Sequence, residues 1–312
     1  MRFVFCIFGL SLKGRRGKMA ADLHCHTKLS DGSVGIEDLI VIAQKSGIDT
    51  IAITDHDCLA GTVRGQVIGK RYGVTVIPGV EISAFDEIAG KKVHIASYLA
   101  DAPDRLERIC KRTSVARKRA GQIMMLKVAA RFPVSSDYII SQANGSTNLF
   151  KQHIMHALMN AGYTDKIFGD LFYTLFDTGS ENNVLAPTKY PSVKEVIDEI
   201  HSAGGIAVLT HPGKYKNQEE LDEYIELGLD GVEVWSPYNS EELTQHLIEK
   251  CKKEKLLLTG GSDFHGIYGR HTVTVGSYTT PQEHLDKLMS YKARKKRAQR
   301  RAEKQALAEA AD

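Results

Sequence analysis

Two histidines two residues apart, His24 and His26 in Asp-Leu-His-Cys-His-Thr, begin the stretch of the chain whose side chains could do chemistry. On a strand, residues two apart face the same side, so both imidazoles reach one ion while Cys25 points away. Asp31 follows in a Ser-Asp-Gly turn. His56 stands in Thr-Asp-His-Asp, Glu81 directly follows Pro78-Gly79-Val80, and His94 stands in Lys-Val-His-Ile. His211 lies in Thr-His-Pro-Gly, and Asp263 and His265 in Ser-Asp-Phe-His-Gly repeat the two-apart spacing. A lone histidine or acid of this kind is ordinarily a satisfied core group or a turn residue. When nearly every short apolar run delivers one, the shared chemistry is divalent-cation binding. Nitrogen and oxygen donors without thiolates suit Mn, Zn or Fe(II), and donor type alone does not choose among them. A hydroxide held between two such cations is a nucleophile at neutral pH, and the same cations compensate charge on phosphoryl oxygens.

The elements that must position these residues are seven short apolar runs: Ala21–His26, Thr50–His56, Val74–Glu81, Val93–Tyr98, Ile206–His211, Gly231–Trp235 and Leu256–His265. Their near-continuous Val/Ile/Leu character predicts parallel strands covered on both faces by helices. Helical patterns fit Ile36–Ser46, stopped by Gly47, and Glu219–Leu227 and Glu241–Lys252. Ser192 and Glu195 form a capping box ahead of an apolar stripe of Val193, Val196, Ile197 and Ile200. Alternation of this length predicts an α/β fold, a β/α barrel, whose strands put function at their carboxyl ends. Residues 19–100 and 186–291 supply the barrel. Between them, 101–185 reads as a helical insertion able to sit over one barrel end. It has a long helix over Asp104–Arg131, with Leu106, Ile109, Thr113, Ala120 and Ile123 roughly on one face, and a second helix over Gln152–Ala161.

Charge is segregated. Residues 1–18 carry +5, residues 292–304 carry +7 and the last eight carry −2, so a chain of net +3 has a body of −7. An acidic body concentrates cations and argues against a broad nucleic-acid face or a stable DNA complex. The tail, 292–312, reads as a solvated helix or a disordered segment rather than an RNA-binding arm. Five scattered cysteines without a C-x-x-C pair indicate neither a disulfide framework nor a thiolate zinc site, and fit a reducing cytoplasm. Phe3–Leu10 is too short to span a bilayer. Lys-Gly-Arg-Arg-Gly-Lys follows it where a signal peptide needs small residues, so 1–18 is expected to be an upstream extension with Met19 as the start.

Taken in order, Asp-Leu-His-Cys-His-Thr, Ser-Asp-Gly, Ile-Thr-Asp-His-Asp, Pro-Gly-Val-Glu-Ile-Ser, Lys-Val-His-Ile, Val-Leu-Thr-His-Pro-Gly and Gly-Ser-Asp-Phe-His-Gly run from residue 22 to 266. In this the chain closely resembles the polymerase and histidinol phosphatase (PHP) phosphoesterases. Its long insertion resembles the branch acting on AMP, nucleoside 3′,5′-bisphosphates or the 5′ end of short RNA. The resemblance implies a distorted (β/α)7 TIM-like barrel with two to three divalent metals. His24, His26, Glu81 and Asp263 would bind the first. Glu81 would bridge to a second with His94 and His211, and Asp31, His56 and His265 would hold the third. That branch has Arg-Pro-His-Ile-Ala at the start of an insertion helix. Here Lys151-Gln152-His153-Ile154-Met155 keeps the histidine, so His153 is the candidate catalytic contact to phosphate.

The insertion helix is basic where the body is acidic, through Arg105, Arg108, Lys111, Arg112, Arg117, Lys118 and Arg119. A basic lid suits a substrate with a second phosphate, and the plain alternative is a solvated helix face. Arg117, Lys189, Lys214 and Arg270 are the candidate substrate contacts. The expected partner is a small phosphorylated molecule, a nucleotide or short RNA, and no membrane. A histidinol-phosphate phosphatase is the alternative enzyme, and an inactive metal-binding regulatory module is the alternative of another class.

Overall fold

The computed structural model describes residues 20–309, so the expected extension at 1–18 and the start at Met19 lie outside the described residues. Eight strands form one sheet: β1 (Ala20–Cys25), β2 (Thr50–Ile53), β3 (Thr75–Asp86), β4 (Lys91–Tyr98), β5 (Ile206–Leu209), β6 (Gly231–Trp235), β7 (Leu257–Gly260) and β8 (Thr280–Pro281). Their order is β7-β6-β5-β4-β3-β2-β1-β8. The helices α1 (Ile36–Lys45) and α2 (Gly61–Tyr72) alternate with the first strands. After β4 come α3 (Glu107–Ala129), α4 (Ser136–Ser141), α5 (Lys151–Asn160) and α6 (Asp170–Phe176). The alternation resumes with α7 (Val193–Ser202), α8 (Pro212–Tyr215), α9 (Leu221–Glu226) and α10 (Glu241–Glu254), and α11 (Gln282–Glu309) ends the described chain. No described helix is long and apolar enough to cross a membrane.

The expected barrel is there, with two departures. Strand β4 is antiparallel to both β3 and β5, not parallel. Only residues 87–90 separate it from β3, too few for a parallel crossover. That link is a turn in which Asp86 Oδ1 accepts the N–H groups of Ile88 and Ala89, both at 3.0 Å, and Gly90 takes φ 67°. An eighth strand, β8, was not foreseen because two residues carry no periodicity. It pairs antiparallel with β1, and Thr280 Oγ1 accepts the Gly260 N–H at 2.7 Å, so β8 joins the last residue of β7 to the start of β1. At the other end Cys25 bridges Phe264, with the His26 N–H donating to the Phe264 carbonyl at 2.9 Å. The sheet thus closes on itself around the site.

The helix stripes follow the sequence pattern where it is strongest. Ser192 Oγ accepts the Glu195 N–H at 3.2 Å, and Val193, Val196, Ile197 and Ile200 of α7 are all buried against β3 to β6. Each such side chain contributes roughly 1.5–3 kcal/mol. In α3, Leu106 just before the helix and Ile109, Thr113 and Ala120 are buried as expected, but Ile123 is exposed. Met124, Met125 and Val128 turn inward instead, toward a separate apolar cluster with Ile154, Met155 and Leu158 of α5 and Phe172, Leu175 and Phe176 of α6. The described cysteines are buried free thiols. At the barrel base, Leu285 and Leu288 of α11 seal a plug containing Ala21, Leu23, Ile77, Tyr98, Ile206 and Leu257.

Closure depends on one glycine. A Cβ on Gly261 would lie 2.3 Å from His24 Cβ and 2.5 Å from its backbone nitrogen. Gly261→Ala must therefore push β1 outward. It is expected to cost roughly 1–3 kcal/mol, read as a lower urea midpoint with an unchanged slope.

Candidate metal centre

All nine predicted histidines and acids are buried. His94 lies inside β4 and Glu81 inside β3, which runs on to Asp86 and does not end at Glu81 as the sequence run suggested, while the others stand at or beyond the end of a strand. Strands β1, β2, β5 and β7 are shorter than the sequence runs, so His26, His56, His211, Asp263 and His265 stand on the segments that follow them. The register of β1 against β2 slips between Asp22 and Cys25, a bulge next to His24 of the kind that re-aims side chains. The two-apart logic holds: His24 Nε2 and His26 Nε2 face each other at 3.0 Å, and Cys25 packs outward into the apolar layer with α1.

Three sets of side-chain atoms converge, each within 4.8 Å: His24, His26, Glu81 and Asp263; His26, Asp31, His56 and His265; and His56, Glu81 and His94. The first is the set the resemblance implied, and the second is the expected Asp31–His56–His265 set joined by His26. The third differs from expectation, with His56 in it and His211 outside. His211 Nε2 instead meets Glu81 Oε1 at 2.9 Å, beside His94 Nδ1 at 3.2 Å and the Thr210 hydroxyl, which donates to the same oxygen at 2.7 Å. Glu81 Oε2 faces His24, His26 and His56 at 3.3, 3.4 and 3.1 Å. Both oxygens are thus used, toward different imidazoles.

These donors fit divalent cations. Glu81 Oε2, Asp31 Oδ1, Asp263 Oδ1 and the Nδ1 atoms of His26, His56, His94 and His211 are buried without a hydrogen-bond partner. Native interiors leave few such atoms, and a cation would satisfy them. Burial would raise the carboxyls, but the histidines around Glu81, Asp31 and Asp263, with Lys214 beside Asp263, hold all three well below the ordinary range. Burial lowers His94 and His211 to about 4, which leaves the neutral imidazole that binds a cation. Burial also opposes charge on His265, yet Asp31 and Asp263 raise it to about 9. Two of the nine, His211 and Asp263, adopt left-handed backbone at φ 29° and 50°, as does neighbouring Asp57 at 51°. Strain of roughly 1–3 kcal/mol per residue is tolerated where surrounding contacts fix the geometry.

Several of those contacts were not legible beforehand. Glu233, the one charged residue of β6, accepts from His24 Nδ1–H at 2.6 Å through Oε2 and from the His211 N–H at 3.2 Å through Oε1. It fixes the His24 tautomer so that Nε2 points inward. Its signal, an acid inside Gly-Val-Glu-Val-Trp, was present in the sequence. Asp55 accepts from the Thr27 N–H, Thr27 Oγ1 and Ser30 Oγ at 2.6–2.8 Å, holding the loop that carries Asp31. Gln152 Nε2 donates to Asp31 Oδ2 at 3.1 Å.

The predicted substrate contacts divide. Arg117 donates to Asp57 Oδ2 and Ser83 Oγ, both at 2.7 Å, with its guanidinium 5.0 Å from the Phe150 ring centre. Lys214 is committed to Asp263 Oδ2 at 3.0 Å, which Tyr238 also contacts at 2.7 Å, so Asp263 turns Oδ1 inward. Lys189 is exposed, and Arg270 is exposed over the Phe168 and Tyr173 rings at 5.6 and 5.9 Å. His153 is buried, and its Nδ1 accepts the Phe150 N–H at 3.2 Å, which leaves the proton on Nε2. Burial lowers it to about 4, so at neutral pH it is a hydrogen-bond donor and not a proton carrier.

Glu233→Gln keeps the side-chain volume but removes the anion that orients His24. Divalent-cation affinity, titrated on chelator-stripped protein, is expected to fall roughly 10–100-fold, with the fold intact by circular dichroism. Unchanged affinity would show that His24 is oriented by other contacts.

Comparison with known proteins agrees with this geometry. The chain is 32% identical over 255 residues to a phosphoribosyl 1,2-cyclic phosphate 1,2-diphosphodiesterase of Eggerthella lenta, covering 81% of this chain and 96% of that protein. It is 29% identical to a 5′-3′ exoribonuclease of Haemophilus influenzae (78% and 89% covered). It is 28% identical to a 3′,5′-nucleoside bisphosphate phosphatase of Chromobacterium violaceum (78% and 86% covered). A solved structure from Bifidobacterium adolescentis, assigned to the metal-dependent phosphoesterases, superposes with a TM-score of 0.77 at 30% identity, over 86% of this chain and 95% of that one. The PHP domain profile matches residues 22–266, the segment that carries all nine converging side chains, and the chain belongs to the PHP family of metal-dependent phosphoesterases.

Proposed function

We propose that the chain hydrolyses a phosphate ester on a phosphorylated ribose bearing a second phosphate, in a nucleoside 3′,5′-bisphosphate or at the 5′ end of a short RNA. Support comes from cations gathered beside the convergent histidines. Lys92 precedes His94 by two residues on β4, Lys151 starts α5 next to Gln152 and His153, and Arg270 follows the Asp263–His265 loop. Arg117 has Asp57 as a counter-ion, but Lys92, Lys151 and Arg270 have no carboxylate at ion-pair distance among the described residues. Burial and then the charges of Lys92, Arg270 and Arg117 lower Lys151 to about 7. Cations held together without counter-ions form a site that awaits an anion. The named activities of the three relatives share a phosphorylated ribose, which this site would suit.

The nine convergent residues would hold two to three divalent ions in this reading. Bound there, the ions would supply an activated water and compensate the phosphoryl charge. The chain's own residues then bind and orient. His153 donates its Nε2–H to a phosphoryl oxygen, and Lys151, Lys92 and Arg270 hold the second phosphate and so fix which ester faces the centre. Glu233, Asp55 and Gln152 keep the donors aimed. A second reading, hydrolysis of a cyclic phosphodiester on a phosphorylated ribose, is favoured by the 32% identity to the phosphoribosyl cyclic phosphate enzyme over 96% of its length. It uses the same residues.

Product analysis with the manganese-loaded protein tests this: inorganic phosphate from adenosine 3′,5′-bisphosphate, AMP and histidinol phosphate, and, by ion-exchange chromatography, the mononucleotide from a 5′-phosphorylated oligoribonucleotide and the ring-opened monoester from a cyclic phosphate ester of a phosphorylated ribose. Release is expected from the bisphosphate or the oligomer, and to fall more than about a hundredfold in His26→Ala. Opening of the cyclic ester alone would favour the second reading, and release only from histidinol phosphate would sink both.

The pH profile tests the second-phosphate contact. Lys151 is lowered to about 7 from an ordinary 10.5, so its charge is present below pH 7 and lost above it. KM for the bisphosphate should rise above that pH while KM for AMP does not follow. Lys151→Arg, charged throughout, should flatten the rise. Lys151→Ala should raise the bisphosphate KM roughly tenfold or more, and matched profiles for all three proteins would remove Lys151 from the site.

A further inference from the structure

At the amino-terminal end of the barrel, away from the convergent histidines, lies a cavity of about 500 Å³ between α10, the start of β7 and α11. Lys252 and Lys255 reach it from the end of α10, and Lys287 and Arg294 from α11, with His284 and Tyr291 in its wall. Three cations on this surface are paired. Lys250 lies on Asp222, Lys292 on Asp101, and Lys295 on Asp230 at 3.1 Å. Lys252, Lys255, Lys287 and Arg294 are exposed and have no carboxylate at ion-pair distance among the described residues. The acid in the lining, Glu283, is an exposed side chain turned to His284 Nε2 at 3.2 Å. His284 itself is 7% exposed, and its Nδ1 is buried without a hydrogen-bond partner. Four unpaired cations and an unsatisfied imidazole nitrogen share one concave wall on a body that is otherwise net acidic.

We infer that this cavity, together with the exposed basic face of α11, is a docking site for the phosphate backbone of single-stranded RNA. Two features favour an extended polyanion over a single phosphate. Lys296 and Arg297 continue the exposed charge along α11 beyond the cavity, and the helix runs on through a sequence with Arg300, Arg301 and Lys304. Tyr291 places a half-buried aromatic ring beside the cations, the pairing that single-strand grooves use for sequence-tolerant stacking and phosphate contact, while His284 is buried beside Trp235. An acidic peptide would meet the same charges but would have no use for the Tyr291 ring. The site sits at the opposite barrel end from the proposed chemistry, so it would hold the body of a longer strand and not the reacting end. It therefore goes beyond the proposed reaction and stands whichever phosphate ester is cleaved.

Fluorescence anisotropy of the full chain with a labelled 2′-O-methyl oligouridylate, which resists hydrolysis, tests it. A polyglutamate peptide is the parallel arm, and Lys252→Glu/Lys255→Glu/Lys287→Glu is the variant. The oligonucleotide is expected to bind the native chain with strong salt dependence. The variant should bind roughly tenfold or more weakly at 0.1 M salt, and its log–log salt slope should be shallower by about 0.7 per lost phosphate contact. Hydrolysis of a mononucleotide bisphosphate should be unchanged in the variant, because none of these lysines touches the metal centre. Equal affinity and slope in the two proteins would overturn the inference, as would a native chain that binds only polyglutamate or neither probe. Because binding and mononucleotide hydrolysis are read separately, failure here and failure of the proposed reaction are distinguishable.

Discussion

One buried carboxylate organises this molecule. Glu81 is fully enclosed, and such a charge is costly in an interior unless it is surrounded by compensating groups. Five imidazoles surround it: His94 and His211 at one oxygen, and His24, His26 and His56 at the other, which has no hydrogen-bond partner and is left for a cation. They come from β1 and the turn after it, from the segments after β2 and β5, and from β4, so convergence on Glu81 draws four parts of the barrel to one point. The Thr210 hydroxyl and the His56–Glu81 backbone bridge bind the same residue to its neighbours. The interior end of the barrel is therefore held by polar convergence, while its base is held by an ordinary apolar plug.

Around this centre the chain accepts local strain and irregularity. The bulge in β1, the left-handed backbone at His211 and Asp263, and the close approach of Gly261 to His24 all depart from regular strand geometry. Each one turns a side chain inward or lets two segments approach. Glu233, Asp55, Gln152, Lys214 and Tyr238 then fix the orientation of a particular imidazole, carboxylate or loop. Removing any one should disturb the centre more than the fold, because the apolar layers do not depend on them.

The helices between β4 and β5 have a separate apolar cluster that takes in Tyr268 from the loop after His265. They also bring Gln152 to Asp31 and the cations Arg117 and Lys151 toward the convergent histidines. This segment therefore carries selectivity in the reading given above, while the barrel carries the reaction. Charge is divided in the same way: an acidic body suits cations, and excess basic charge is concentrated on α3 of the insertion and on α11.

Much of this was legible in the residues alone. The nine donors could be read because each sits at a strand end or at strand spacing, and strand periodicity and turn chemistry are local properties. The α7 stripe, set by Ser192 and a four-residue apolar pattern, was legible for the same reason. Three things were decided only in three dimensions. The direction of β4 was decided by β3 running on to Asp86 in its ladder with β4, which leaves only a four-residue turn between them. The placement of His56 with Glu81 and His94, and of His211 outside that set, depended on how strand ends meet across the barrel. The pairing of Glu233 with His24 joined residues 209 positions apart. Sequence spacing states which side chains share a face of one element, but distances between elements follow from barrel closure and from the need to satisfy buried charge, and neither is local.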